Sequence, residues 1–392
     1  MVSSEQTFDP FTVKEVGEVR RDLARVRSGG CPVTGIAPGI GFVGHHGPAR
    51  EALLAHEALS NHGNFVIEAS GDGPAPPDLI TQSDPPEHTT LRALLRPGFA
   101  RAAIVEAAPW VREYAEALVD GLADGPADLV GEFALPLTAS VIARLVGVPA
   151  ADADALARDS LAITAILPAP FTETEAWTRL EAYFTEAARR RRAAGEPPDD
   201  LITRLALGEV DGRRLTEQEV AFHAWQLFVA GLESTAYTIG STVHQLLVER
   251  SRWEELCADR SLLDNTREEG LRHGSAIRWV LRTVVGAPEL RGQPLPADGW
   301  VIVGLESANL DEEVFGPDAA EFDLHRTTAR RHLSFGHGLH LCLGAELSRT
   351  EISVALEVLL DRLPGLRLAP GFAYEDVGSP MFCGPARLDV VW

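Results

Sequence analysis

The sequence predicts a mainly α fold, one large helical domain spanning residues 1–392 with small β-sheets attached. Three observations predict it. Apolar residues recur at helical spacing over much of the chain, and they make up 45% of it, enough for an extensive core. One helical candidate, residues 216–248, runs about 33 residues, or roughly 50 Å at ~1.5 Å per residue, long enough to cross the whole molecule. Strand candidates are few and short, at residues 41–43, 300–304 and 388–392.

The N-terminal Met-Val-Ser-Ser-Glu-Gln-Thr lacks the apolar run of a signal peptide or membrane anchor. No later stretch reaches the roughly 20 apolar residues that a spanning helix needs. Residues 71–77, rich in Gly and Pro, read as a loop. Pro85-Pro86 can initiate a helix, on which His88 and Arg92 would share a face. Residues 103–122 and 137–146 read as helices, and so do residues 174–194, which end in an arginine run at 189–192. That run reads as a solvated helix end favoured by the helix dipole, and Pro197-Pro198 then breaks the chain.

Thr216 and Glu219 have capping-box spacing at the start of the longest helix. Its middle, Ala230-Gly-Leu-Glu-Ser-Thr235, interrupts the apolar pattern. A mid-helix glycine costs ~1 kcal/mol, and a carboxylate and two hydroxyls are unusual on an apolar helix. The plain reading is hydroxyls bonding back to carbonyls. Glu269 and Arg272, spaced i, i+3, would by themselves be a weak surface pair. Residues 345–363 form the last long helical segment.

The net charge is −22. An acidic balance argues against nucleic acid, which demands a basic face. The four cysteines (Cys31, Cys257, Cys342, Cys383) are scattered with no CxxC pair, which fits a reducing cytoplasm better than a disulfide framework.

Cys342 is the most informative of them. It lies in Phe335-Gly-His-Gly-Leu-His-Leu-Cys-Leu-Gly344, just ahead of the last long helix. A thiolate at a helix start is stabilised by the dipole and by free backbone N–H groups, and the glycines permit close approach. Three readings compete: an inert core cysteine, a zinc site with nearby His332, His337 and His340, and the axial thiolate of a haem. Zinc normally draws ligands from two separated pairs, whereas these candidates sit within eleven residues and no companion pair appears elsewhere.

The ten residues match, position by position, the Phe-Gly-x-Gly-x-His-x-Cys-x-Gly haem-binding loop of the cytochrome P450 family. The chain resembles that family from about residue 84 to the end and more loosely before. The resemblance implies haem b with Cys342 as thiolate ligand of iron, in a loop shaped by Phe335, Gly336 and Gly344. It implies that His88, Arg92, Arg282, His332 and His340 hold the haem propionates, and that Glu269, Arg272 and Arg326 form a buried structural cluster. Gly231 would let the long helix open beside bound oxygen, Glu233 would relay protons, and Ser234 with Thr235 would steady the oxygen and its water. Ser234 stands where the family usually has threonine. A second departure follows Arg272, where His273-Gly-Ser-Ala-Ile-Arg278-Trp279 replaces the family's Pro-Pro pair. Arg278 reads either as facing solvent or as meeting an acidic substrate.

By the same resemblance, substrate contacts come from residues 62–80, 163–171, 228–234, 277–281 and 380–382. These include Phe65, Ile166, Leu232, Val280, Met381 and Phe382, so the pocket should be mostly apolar. No flavin or nicotinamide segment is legible, so electrons would come from a ferredoxin with its ferredoxin reductase. Arg92, Arg96, Arg330, Arg331 and Arg349 would form a basic patch for that acidic partner. The implied activity is that of a cytoplasmic monooxygenase that uses O₂ and two electrons to oxidise, by default to hydroxylate, a small apolar organic or natural-product substrate. A peroxide-driven oxygenase and a haem-bearing recruitment module without oxidation are the rivals.

Overall fold

In the computed structural model, residues 8–64, 77–122, 125–166, 171–172, 174–210 and 212–392 are described. Helices dominate, and the longest runs from Glu217 to Val248. Its start is fixed as the sequence predicts: the Thr216 hydroxyl accepts from the Glu219 N–H at 3.2 Å, and the Glu219 carboxylate accepts from the Thr216 N–H at 2.6 Å.

This helix serves two cores. Its first half, from Val220 to Leu232, packs with the Ala150–Thr164 and Glu175–Ala193 helices. Its second half, through Ala236, Ile239, Val243 and Leu246, packs with the Arg101–Gly121 and Ala345–Arg362 helices. The polar Glu233-Ser234-Thr235 stretch falls where one core hands over to the other.

The main sheet has five strands in the order Thr34–Ala37, Ile40–Val43, Trp300–Gly304, Trp279–Val284 and Leu59–Ser60. Ile40–Val43 and Trp300–Gly304 run parallel, and the other neighbours are antiparallel. The strand Trp279–Val284 carries both Val280 and Arg282 out of the Leu263–Gly274 helix. A small sheet joins Arg367–Leu368, Asp389–Val391 and Ala127–Asp128. Trp279–Val284 escapes the sequence reading because its burial follows no strict two-residue alternation.

The arginine run is not simply solvated. Arg191 pairs with Asp200 at 2.6 Å, and Arg192 donates to the carbonyls of Ala206 and Leu215. These side chains staple the Glu175–Ala193 helix to the short Leu201–Leu207 helix. Among the described residues no single helix is long and apolar enough to cross a membrane. The bent pair Val130–Val146 and Ala150–Thr164 has the length and composition together, but it buries Leu137, Val141, Ile142 and Leu156 inside the two cores.

Candidate active site

The cysteine loop is built by its own backbone. The Cys342 N–H donates to the Phe335 carbonyl at 2.8 Å, closing the loop on itself. Gly336 and Gly338 have φ of 69° and 73°, a left-handed conformation that L side chains rarely adopt. A Cβ on Gly338 would also sit 2.9 Å from the Leu53 carbonyl oxygen. The chain then enters the Ala345–Arg362 helix, whose positive end lies behind the sulfur. The Cys342 side chain is accessible, yet protein surrounds it closely enough that burial raises its pKa. The Gly344 N–H, Arg92 and Arg349 pull the pKa back towards the thiolate. The sulfur therefore opens onto an interior recess.

A matching opening lies on the long helix. Leu232, Glu233 and Thr235 are buried, whereas Gly231 and Ser234 are half-buried and Ala230 is exposed, although the helix is packed on both sides of this stretch. Ser234 Oγ donates to the Ala230 carbonyl at 2.9 Å, and Thr235 Oγ1 donates to Ser348 Oγ at 3.0 Å. Ser348 belongs to the helix that follows Cys342, so this bond ties the two walls together. Glu233 Oε1 accepts from the Tyr237 hydroxyl at 3.1 Å, while Oε2 is buried with no hydrogen-bond partner among the described residues. Burial pushes its pKa up to about 7, against the opposing pull of the Thr164 and Tyr237 hydroxyls. A carboxyl with that pKa can take up and release a proton near neutrality.

At one side of the cysteine loop stand two histidines and two arginines with no ion pair among the described residues. The rings of His88 and His340 lie 4.0 Å apart, and His88 Nδ1 and His340 Nε2 are buried with no hydrogen-bond partner among the described residues. Arg282 is buried, donates to the Leu281 carbonyl at 2.7 Å and has no ion pair among the described residues. Burial lowers its pKa to about 10 against the pull of Asp84. Arg92 donates to the Leu341 carbonyl at 2.6 Å. Burial lowers the pKa of His340 to about 3, and His88 and Arg282 push it in the same direction. Among the described residues this cluster has no ion pair, and an unpaired buried guanidinium such as that of Arg282 is costly. A flat ligand carrying two carboxylates at one edge and a thiolate-seeking iron at its centre would satisfy the cluster, the sulfur and the open helix face together. The donor set fits haem.

Glu269, Arg272 and Arg326 meet as expected. Arg272 donates to both Glu269 oxygens, at 2.7 and 2.6 Å, and to the carbonyls of Asn309, Ala319 and Glu321. Arg326 Nε reaches Glu269 Oε1 at 3.2 Å.

The placements of His332, Arg278 and Gly231 depart from the expectation. His332 is not a free propionate donor: its Nε2 lies 3.2 Å from Glu268 Oε2, and its Nδ1 accepts from the Ser334 N–H. Arg278 faces neither solvent nor the recess, because it is buried between Glu306 and Asp376, 2.6 Å from each. Gly231 sits in an unbroken helix, where its missing side chain admits Ile142, whose atoms would lie 2.8 Å from a Cβ. Leu232 is wholly buried in the core that the long helix shares with the Ala150–Thr164 and Glu175–Ala193 helices. Ile166 is exposed just beyond the Ala150–Thr164 helix. Met381 packs against the cluster around Phe42 and Trp279. Val280 is half-buried on its strand, and Phe65 lies outside the described residues. Within the expected basic patch, Arg349 is committed to Glu268 and Glu346, while Arg96, Arg330 and Arg331 are exposed.

The sequence reading missed Glu268. It is fully buried, accepts from Arg267 and Arg349, and holds His332. Arg349 in turn lies over the Phe335 ring at 4.7 Å. No local pattern distinguishes Glu268 from a surface acid beside Glu269.

A thiol on a glycine-shaped loop at the start of a helix, which is itself bonded through Ser348 to a polar break in a long helix, is the arrangement of a haem-thiolate protein. Comparison with known proteins gives the same class. The family model for cytochrome P450 matches residues 171–364. The chain is 39% identical over 325 residues to the mycinamicin IV hydroxylase/epoxidase of Micromonospora griseorubida, covering 80% of this chain and 79% of that one. It is 32% identical over 328 residues to the steroid C26-monooxygenase of Mycolicibacterium smegmatis, covering 82% and 80%. A solved structure of a mutant of P450 EryK in complex with erythromycin B superposes with a TM-score of 0.86 at 31% identity, covering 96% of each chain. The chain belongs to the cytochrome P450 family and is a haem-thiolate monooxygenase, an oxidoreductase. When bound, the haem supplies the iron at which O₂ is reduced and the oxidant is made. The recruitment module without oxidation finds no support among these relatives.

Proposed function

We propose that Cys342 is the axial ligand, that His88, Arg92, Arg282 and His340 hold the haem propionates, and that the chain oxidises a largely apolar natural product. Hydroxylation is the default outcome, with epoxidation equally compatible with these side chains. The carrying observation is the coincidence of an accessible thiol at a helix start with unpartnered nitrogens on His88 and His340 and an unpaired buried Arg282. Glu233 moves the proton from the protein interior to the recess, and Ser234 orients water there with its hydroxyl. Val280 and Phe382 line the substrate side. Electrons come from a ferredoxin and its reductase, docking near exposed Arg96, Arg330 and Arg331, in the cytoplasm. Relatives named for mycinamicin IV and for steroids, at comparable identity, support a bulky apolar substrate class over any single molecule.

The test combines spectroscopy with turnover. The reduced carbon-monoxide complex of the parent should give the thiolate-type Soret band, and Cys342→Ala should lose it. A surrogate ferredoxin system should convert at least one member of a macrolide and steroid panel to a product one oxygen atom heavier. An unchanged Soret band in the alanine variant removes the assignment of the ligand.

A further inference from the structure

After the Leu263–Gly274 helix the chain runs through Ser275, Ala276, Ile277 and Arg278 without a proline. This segment lies edge to edge with residues 380–384. The Arg278 N–H donates to the Met381 carbonyl at 2.8 Å, and the Cys383 N–H to the Ala276 carbonyl at 3.0 Å. Ile277 and Phe382 form an antiparallel bridge, and Trp279 Nε1 donates to the Pro380 carbonyl at 3.0 Å.

The Arg278 side chain, 5% exposed, makes bonds that a core residue does not need. Nε donates to the Phe382 carbonyl at 3.2 Å, Nη1 to Glu306 Oε2 at 2.6 Å and Nη2 to Asp376 Oδ2 at 2.6 Å. The other Asp376 oxygen accepts from the Gly384 N–H at 2.9 Å. Arg20 Nε lies 3.6 Å from Glu306 Oε1, so two acids face two arginines. Desolvating such a set costs about as much as its attraction returns, so its contribution is geometry more than stability. One guanidinium thereby fixes three stretches of chain: its own strand entry, the Leu305–Asn309 helix and the C-terminal turn. A fixed fork of donors suits that task better than a point charge.

We propose that Arg278 is a positioning residue that sets the shape of the substrate cavity by locking residues 380–384, and with them Phe382, against the strand that carries Val280. The inference rests on the reading that Phe382 and Val280 line the cavity. No proline stiffens this path, and a buried polar tie holds it instead.

The test uses the full-length haem-loaded protein. Asp376→Asn keeps an acceptor for the Gly384 N–H but loses the charge facing Arg278, and Arg278→Lys keeps the charge but reaches fewer partners if the first variant folds poorly. Amide hydrogen exchange across residues 379–384 should quicken about tenfold while residues 345–362 stay unchanged. Relative affinities for a series of phenyl-substituted imidazoles of increasing bulk, read from the Soret shift, should change about fivefold and in the same sense as in Phe382→Ala. An altered series in Phe382→Ala with an unaltered one in both other variants overturns the positioning role. Faster exchange with unaltered affinities overturns it too, since the tie would then be only structural. If Phe382→Ala itself leaves the series unchanged, the cavity-wall reading fails first and the inference falls with it.

Discussion

Glu233 is a carboxyl buried beside an open stretch of helix with one oxygen unpartnered among the described residues, and this sets how it ionises. Its pKa in the folded protein, about 7, lies above the ordinary 4.5. Between those values the folded state binds more protons than the unfolded one, so stability falls as pH rises through this window, by up to about 3 kcal/mol. Glu233→Gln removes the ionisation. Its stability relative to the parent should therefore grow from about pH 5 to about pH 8, read by chemical denaturation across pH. Coincident profiles for the two proteins would contradict a buried, titrating Glu233. In turnover the same variant should slow product formation about 100-fold and divert reducing equivalents to hydrogen peroxide. Arg282→Leu, which removes a charge-assisted bond of about 1.5–3 kcal/mol, should weaken haem retention about 10- to 100-fold, measured by transfer of haem to an acceptor globin. Cys342 was singled out in the sequence by the ten-residue match of its loop, and Glu233 by the polar break it makes in an apolar helix. Glu268 was not, because its partners His332 and Arg349 come from distant parts of the chain.

Among the elements, the Glu217–Val248 helix matters most, since it walls the recess and links two cores. Its start, length and polar interruption follow from capping and periodicity. The role of Gly231 did not: what the glycine admits is the Ile142 side chain from the Leu135–Val146 helix. Gly231→Ala should therefore cost about 1–3 kcal/mol through overpacking, and pairing it with Ile142→Val should recover part of the loss in thermal melts. If the alanine variant melts no lower than the parent, close helix packing is not what this glycine serves. The arginine run teaches the same lesson. Local reasoning expects a solvated helix end, but Arg191 and Arg192 find Asp200, Ala206 and Leu215 across a turn.

At the scale of the whole molecule, the buried Glu269–Arg272–Arg326 set connects the Leu263–Gly274 helix to the segment that leads into the cysteine loop. Asn309, whose carbonyl accepts from Arg272, accepts from the Leu333 N–H at 2.6 Å and donates to Ser334 Oγ at 2.9 Å, one residue before Phe335. Glu269→Ala leaves two buried guanidiniums short of an acid and should cost about 3–5 kcal/mol in denaturant unfolding. Because strain there reaches the cysteine loop, the variant should also hold haem less tightly; full haem content at unchanged stability would remove this link. The sequence by itself determined the helical class, the long capped helix and the cysteine loop, because periodicity, capping and glycine spacing are local properties of the chain. Only the tertiary structure decided that His332 serves Glu268, that Arg278 ties down the C-terminal turn and that, among the described residues, His88 Nδ1 and His340 Nε2 have no hydrogen-bond partner and Arg282 no ion pair. A side chain's partner across the fold depends on which elements pack together, and no window of neighbouring residues encodes that.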